Sequence, residues 1–140
     1  MNSFFAGIFL NVIKFVVTFL CVLLVSWSSI QDQPRSNLSS LLLIALGACL
    51  CMIASLSLSP FILTSPSQML QSLMVGIALL GMIVIVKQKG SLLSIRLAGS
   101  IWFCGAVGLA IGAGLFVEGI LVSSGAYLLF KWIDRYVKIY

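Results

Sequence analysis

Residues 97–130 read LAGSIWFCGAVGLAIGAGLFVEGILVSSGAYLLF, and Glu118 is the only charged side chain in this stretch of 34 residues. As one continuous helix the stretch would be about 50 Å long, at about 1.5 Å per residue. The hydrocarbon core of a bilayer is only about 30 Å thick, so a single membrane span cannot contain it. Gly112-Ala113-Gly114 offers a break, and we predict two spans here, over residues 94–111 and 115–130.

The rest of the chain has the same apolar character. Only 8% of its 140 residues are charged, 61% are hydrophobic, and the mean hydropathy is +1.23. A soluble domain carries charges on roughly a quarter of its residues. The apolar runs are continuous rather than alternating, which favours transmembrane helices over the strands of a barrel. The composition therefore predicts an all-α integral membrane protein.

Three further spans are expected ahead of this helical hairpin, separated by polar or proline-containing segments. They cover residues 8–27, 38–58 and 68–86. The tail, residues 131–140, is basic and aromatic, and we expect it to lie at the membrane interface. The predicted fold is a single integral membrane domain over residues 1–140, formed by a bundle of about five transmembrane helices.

The basic residues indicate how this bundle is oriented. With five spans, seven of the eight fall on one side of the membrane: Arg35, Lys87, Lys89, Arg96, Lys131, Arg135 and Lys138. The exception is Lys14, which lies within the first span. Because Lys and Arg accumulate on the cytoplasmic side, the N-terminus is predicted outside and the C-terminus in the cytoplasm. The expected location is a bacterial inner membrane or a thylakoid.

The net charge of +5 also bears on partners. The basic residues are sparse and flank apolar spans, so anionic lipid headgroups are the expected partner, and nucleic acid is not. In the tail, Trp132, Tyr136 and Tyr140 are spaced for one face of a helix. Aromatic rings are favoured at the headgroup level of a membrane, and we predict that these three form an interfacial anchor.

Small residues indicate where helices pack. Gly105, Gly108 and Gly112 lie in the fourth span, and the last two form a Gly-x-x-x-Gly pair that lets helix backbones approach closely in lipid. In the second span, Gly47, Cys51 and Ser55 repeat the same spacing. We predict helix packing at these positions, either within the bundle or against another protein.

Ionisable residues within membrane spans are candidates for function, and Lys14 and Glu118 are the two that we consider. Lys14 and Glu118 both belong to the outward half of the bundle, where they could form an intramembrane charge pair. The alternatives are that Lys14 extends its stem to the interface and that Glu118 faces water near an external turn. Neither residue by itself indicates an ion pathway.

Catalytic chemistry is not expected. The chain has no His and only 3 acidic residues, so no general base with an orienting partner is evident and no metal cluster. The four cysteines lie within apolar segments and are expected to be structural: Cys21, Cys49, Cys51 and Cys104. We predict no enzyme activity, no metal site and no cofactor, while contacts with pigment or lipid remain open and their binding residues unknown.

Four segments follow one another in an informative order: Ala45-Leu46-Gly47-Ala48, Gly76–Gly81, Lys87–Ser91 and Gly105–Gly112. In this order they resemble the membrane domain of the MgtC/SapB family over about residues 38–130. The resemblance implies the transmembrane scaffold of that family without the soluble C-terminal domain of its longer members. Lys14 falls where the family has a basic residue in its first span.

Departures from the family's pattern affect the expected function. The family has a cluster of acidic and basic residues after its first span, where this chain has Ser28-Ser29-Ile30. It has an Arg-Thr-His sequence at the start of the second span, where this chain has Ser39-Ser40-Leu41. The chain therefore resembles a degenerate member that keeps the scaffold and has lost most of the polar residues.

The leading hypothesis is a small, non-catalytic membrane protein that acts as an accessory or modulatory subunit of a larger membrane complex. That complex would be of the photosynthetic, respiratory or ATP-synthase type. One alternative, which the resemblance implies, is an MgtC-like magnesium-homeostasis and virulence factor. A second alternative is a small component of a transporter.

Overall fold

The computed structural model describes residues 2–29, 35–58 and 65–137, although the side chains of some residues inside the helices are not described. These residues form five helices: α1 (Asn2–Ser29), α2 (Arg35–Leu58), α3 (Pro66–Lys87), α4 (Leu92–Ala113) and α5 (Phe116–Val137). No strand occurs within the described ranges. The predicted all-α class is therefore confirmed.

Four of the helices are long and apolar enough to cross a membrane. Their candidate spans are Gly7–Ser26, Leu38–Leu58, Ser67–Lys87 and Ser94–Ala113. The apolar part of α5, Phe116–Leu129, is shorter than these spans, at about 21 Å if each residue adds about 1.5 Å. The helices identify the chain as an integral membrane protein, and among the five described helices α5 has the shortest apolar segment.

The predicted break in the 97–130 stretch is confirmed at Gly114. Its φ of 97° is left-handed, a conformation that only glycine adopts readily. The N–H of Gly114 bonds to the carbonyl of Ile111, and that of Leu115 bonds to the carbonyl of Ala110, both at 3.0 Å. This pair of bonds is the Schellman arrangement that ends a helix, so α4 stops and the chain reverses into α5.

The connection from α3 to α4 is a tight turn. Lys89 and Gly90 both have positive φ, at 52° and 71°. Ser91 then caps α4, because its side-chain oxygen accepts a hydrogen bond from the N–H of Ser94 at 3.2 Å. Such caps satisfy backbone donors that the first turn of a helix leaves unpaired, and here the cap fixes where α4 begins.

Helix α4 lies at the centre of the bundle. Of its candidate span, 56% is buried, against 11% for α3. Gly108 and Gly112 of α4 meet Ala45 and Cys49 of α2, so α2 and α4 run in the same direction. Gly81 of α3 meets Ala98 of α4, and Ile77 meets Gly105, so α3 and α4 are antiparallel. Helices α1 and α5 also pack against α4.

This topology gathers the basic residues at one end of the bundle, which we call the basic end. Lys87 ends α3 and Lys89 lies in the α3–α4 turn. Arg96 lies near the start of α4, and Lys131 near the end of α5. Arg35 and Arg135 belong to helix ends on the same side, and Lys138 lies outside the described residues. Which side of the membrane this end faces remains a prediction.

Candidate functional site

Helices α2 and α4 approach each other closely at Gly108 of α4. A Cβ built on Gly108 would overlap the carbonyl oxygen of Ala45 on α2. One turn later, a Cβ on Gly112 would lie 2.8 Å from the carbonyl oxygen of Cys49 and 2.9 Å from Cβ of Met52. These neighbours are backbone or backbone-linked atoms that cannot rotate away. The α2–α4 contact therefore requires glycine at both positions.

Gly105 lies in a different contact. A Cβ there would lie 2.6 Å from Cδ1 of Ile77 on α3. Cδ1 is the far end of a flexible side chain, and it can move by a change of rotamer. The three glycines therefore face two different helices, with the stricter requirement on the α2 side.

The face of α2 that meets α4 differs from the one predicted. The residues in contact are Ala45, Cys49 and Met52, all buried. Gly47 has open space around it, and Cys51 is exposed, so the prediction that these two pack against a helix within the bundle is wrong. Small residues occur on two faces of α2, and sequence spacing does not reveal which face turns inward.

Ser55, the third residue of the predicted stripe on α2, is buried, and it packs towards α3. Its hydroxyl donates a hydrogen bond to Sδ of Met69 at 3.0 Å. This bond joins the end of α2 to the beginning of α3. The segment between these two helices lies outside the described residues.

Lys14 forms a polar contact within the membrane-spanning part of α1. Its Nζ donates a hydrogen bond to the carbonyl oxygen of Gly112 at 2.9 Å. The last four carbonyls of a helix have no partner in that helix, and the α4–α5 turn satisfies only the two that precede Gly112. A positive charge at the C-terminal end of a helix is also favourable for the helix dipole. Lys14 therefore caps the end of α4.

The position of Lys14 is supported from within α1. Thr18, one turn later, is fully buried, and its hydroxyl donates a hydrogen bond to the carbonyl oxygen of Lys14 at 2.8 Å. Lys14 itself is half-buried. Lys14 and Thr18 therefore both have hydrogen-bond partners without a second charged side chain.

Glu118, the candidate partner of Lys14, lies in the first turn of α5 and is exposed. Within the described part of the chain no ion pair joins the two, because the Lys14 ammonium is directed to Gly112. An acidic residue in the first turn is favourable for the dipole of its own helix. Lys14 therefore lies at the C-terminal end of α4 and Glu118 at the N-terminal end of α5, so each charge is favourable for the dipole of the helix end beside it.

The three aromatic residues predicted to form an interfacial anchor are only partly described by the structure. Trp132 is exposed on α5, Tyr136 belongs to the same helix without a described side chain, and Tyr140 lies outside the described residues. Near this position, Nζ of Lys131 lies 6.0 Å from the centre of the Tyr127 ring. The interfacial anchor stays a prediction.

The cysteines are all free in the structure; Cys51 is exposed, and Cys21, Cys49 and Cys104 are buried. Three of the four thiols are thus part of the packed interior. Among the described residues, no three His, Cys, Asp or Glu side chains gather into a group that could hold a metal ion.

Together these features define a small α-helical membrane protein built around one glycine-rich helix. The chain belongs to the MgtC family, whose family model matches residues 15–138. This match covers most of the chain and confirms the resemblance carried by its second to fourth spans. Neither the comparison with curated proteins nor the comparison with solved structures gives a match.

Proposed function

We propose that this chain is an MgtC-like membrane factor that acts in magnesium homeostasis without catalysing a reaction. The observation that carries this proposal is the family match over residues 15–138. It is supported by the bundle itself, in which the spans that carry the resemblance form one tightly packed unit around α4. In this proposal the N-terminus faces outward and the basic end lies in the cytoplasm.

Lys14 is the residue most closely tied to this function. It stands where the family has a basic residue in its first span, and it is bonded to the end of the central helix. Other polar positions of the family are replaced by small or apolar residues in this chain. In this proposal the contact of Lys14 with Gly112 holds α1 and α4 in the arrangement on which the function depends.

The test is growth of the source organism at limiting magnesium, with this gene deleted and then restored. We expect the deletion to slow growth at limiting magnesium but not at abundant magnesium, and the unaltered gene to restore it. Lys14→Met should fail to restore growth although the protein reaches the membrane. Lys89→Met, which removes an exposed lysine in the α3–α4 turn, is the matched control and should restore it. Equal growth of the deletion strain and its parent would exclude this function.

A second candidate is a modulatory subunit of a larger membrane complex of the respiratory, ATP-synthase or photosynthetic type. The observation that favours it is the outer face of α3, where Val75, Leu79 and Ile83 are exposed. Gly76 lies beside them with open space around it. A small residue among large aliphatic side chains lets a helix of another protein approach closely.

Purification in mild detergent, followed by a native gel and mass spectrometry, tests this second candidate. A complex should co-purify with the unaltered protein and be lost with Gly76→Leu. Gly47→Leu, at an open position on α2, is the matched control and should keep the complex. Migration of the unaltered protein only as a monomer or homodimer would count against a modulatory subunit.

A further inference from the structure

Helix α4 ends short of its neighbours at the end of the bundle opposite the basic end. Gly112, next to the last residue of α4, packs against Met52 of α2. Helix α2 continues for six more residues, to Leu58, which adds about 9 Å at about 1.5 Å per residue. The α4–α5 turn is therefore the floor of a depression, which we call the α4 recess.

Helices α1 and α3 also rise beside the α4 recess. Helix α3 begins at Pro66, and the bond between Ser55 and Met69 places its first turn beside the last turn of α2. Helix α1 begins at Asn2, twelve residues before Lys14, whose ammonium group is bonded to the end of α4. About 18 Å of α1 therefore extends beyond Lys14. The recess has walls from α1, α2 and α3, and the turn closes it below.

Asn11 is a polar side chain in the wall that α1 contributes. Asn11, Thr18 and Val25 are spaced by seven residues, about two helical turns, so they share one face of α1. Thr18 and Val25 are buried in the bundle, whereas Asn11 is only half-buried. This difference follows from the end of α4, because Asn11 lies one turn beyond Lys14, which caps that end. Asn11 therefore faces the α4 recess.

Asn11 and Lys14 determine what fills the recess. Asn11 lies four residues inside the candidate span that starts at Gly7, and within the described part of the chain its amide has no hydrogen-bond partner. An amide without a partner is costly in hydrocarbon. Lys14 has three N–H donors, and its bond to Gly112 uses one of them. Water supplies partners to both side chains, and a lipid acyl chain supplies none.

We propose that the α4 recess is filled with water and binds small anions at Asn11 and Lys14. The N–H groups of these two side chains are the donors that an anion accepts. Glu118 does not neutralise the charge of Lys14, since it shares an exposed face of α5 with Val122. The inference goes beyond the function proposed above, and its tests measure hydration and labelling rather than growth, so the two can fail separately.

Cysteine labelling tests whether water reaches Asn11. Asn11→Cys and Val12→Cys, each in a variant without the four native cysteines, lie at the same depth, but Val12 is exposed on the outer surface of α1. A membrane-impermeant thiol reagent, added from the side opposite the basic end, should react about tenfold faster with Asn11→Cys, because the reactive thiolate forms in water and not in hydrocarbon. Equal rates would mean an open membrane interface, and no reaction would mean a dry recess. Either result would overturn the proposal.

Charged reagents test the preference for anions. With Asn11→Cys, an anionic thiosulfonate should react about tenfold faster than a cationic one, as expected for one positive charge about 6 Å away in water. Both rates are first divided by the rates of the same reagents with a free thiol. Lys14→Gln should abolish the preference, whereas Lys89→Gln, which removes a lysine at the basic end, should keep it. A preference that survives Lys14→Gln would overturn the assignment to Lys14.

The same labelling distinguishes a dissolved anion from the phosphate of a lipid headgroup. Asn11→Cys is labelled in phospholipid vesicles and in a detergent without phosphate, and we expect similar rates. Labelling in detergent but not in vesicles would show that a lipid headgroup occupies the recess, and it would overturn the proposal of a water-filled site.

Solid-state NMR of the unaltered protein in vesicles does not depend on the folding of any variant. Magnetisation from water should reach the side-chain carbons of Asn11 and Lys14 quickly and those of Val12 slowly. Equal transfer to the three side chains, whether fast or slow, would overturn the proposal.

Discussion

Lys14 and Gly112 are 98 positions apart in the chain, and the side chain of the first donates a hydrogen bond to the backbone carbonyl of the second at 2.9 Å. The bond joins the middle of the first helix to the end of the central helix. It satisfies a carbonyl that the helix cannot pair by itself, at a level where the surroundings are largely apolar. Removing the donor would leave this carbonyl without its partner.

Lys14→Met is therefore expected to lower the stability of the purified protein by about 1–3 kcal/mol, the usual cost of leaving a buried polar group unsatisfied. Unfolding in a denaturing detergent, followed by circular dichroism, measures this change. Lys89→Met provides the control, because Lys89 is exposed in a turn and its removal should have little effect. If both variants unfold like the unaltered protein, the contact with Gly112 does not contribute to stability.

Gly108→Ala tests the backbone contact between α2 and α4. The added methyl group would overlap the carbonyl oxygen of Ala45, and overpacking of this kind costs about 1–3 kcal/mol. We expect a lower amount of protein in the membrane and easier unfolding in detergent.

Two comparisons make the Gly108 experiment specific. Gly105→Ala should be milder, because the side chain of Ile77 can move aside. Gly47→Ala, at an open position on α2, should be neutral or slightly stabilising, since alanine is the better helix former. Equal effects of the three substitutions would mean that the α2–α4 contact is not as close as described.

Gly114→Ala tests the turn that separates α4 from α5. The backbone there has a φ of 97°, and a side chain in a left-handed conformation costs about 1–2 kcal/mol. We expect lower thermal stability in detergent, whereas Gly125→Ala, inside α5 with open space around it, should be neutral or stabilising. A Gly114→Ala protein as stable as the original would show that α4 does not end in this turn.

The orientation in the membrane is tested by labelling introduced cysteines in a variant without the four native ones. Lys89→Cys, in the α3–α4 turn, should react from the cytoplasmic side, because basic residues collect there. Ser67→Cys, near the start of α3, should react from the opposite side. Reaction of Lys89→Cys with a reagent confined to the outside would reverse the predicted topology.

The helices and the turn at Gly114 could be predicted from the sequence because the thickness of a bilayer limits how long an apolar run can be. A run of 34 residues with one charge is too long for one span and had to be divided into two helices. The glycines of Gly112-Ala113-Gly114 indicate the position of the break. The rotation of each helix about its axis could not be predicted in this way. In α2, small residues occur on the face with Gly47 and on the face with Ala45, and only the packed structure shows which one meets α4.

The partner of Lys14 was missed for a different reason. Sequence patterns show side chains, and the candidate partner that they offer is another charged side chain, Glu118. The actual acceptor is a main-chain oxygen, which every residue possesses. The sequence did contain a signal for this acceptor, the Gly112-Ala113-Gly114 break. A helix that ends within the membrane leaves carbonyl groups that need hydrogen-bond donors. Lys14 is the cation predicted in the same half of the bundle, so it is the donor that this break indicates.

The contact of Lys14 with the end of α4 also has a consequence for the shape of the surrounding bilayer. Lys14 lies seven residues inside the span that starts at Gly7, so the α4–α5 turn is about 10 Å below the start of that span, at about 1.5 Å per residue. The apolar part of α5 that follows is correspondingly short. This is hydrophobic mismatch confined to one side of the protein, and its cost falls as the membrane becomes thinner. The other four spans are 20 or 21 residues long and match a hydrocarbon core of about 30 Å, so a bilayer that thins locally around α5 accommodates this bundle best.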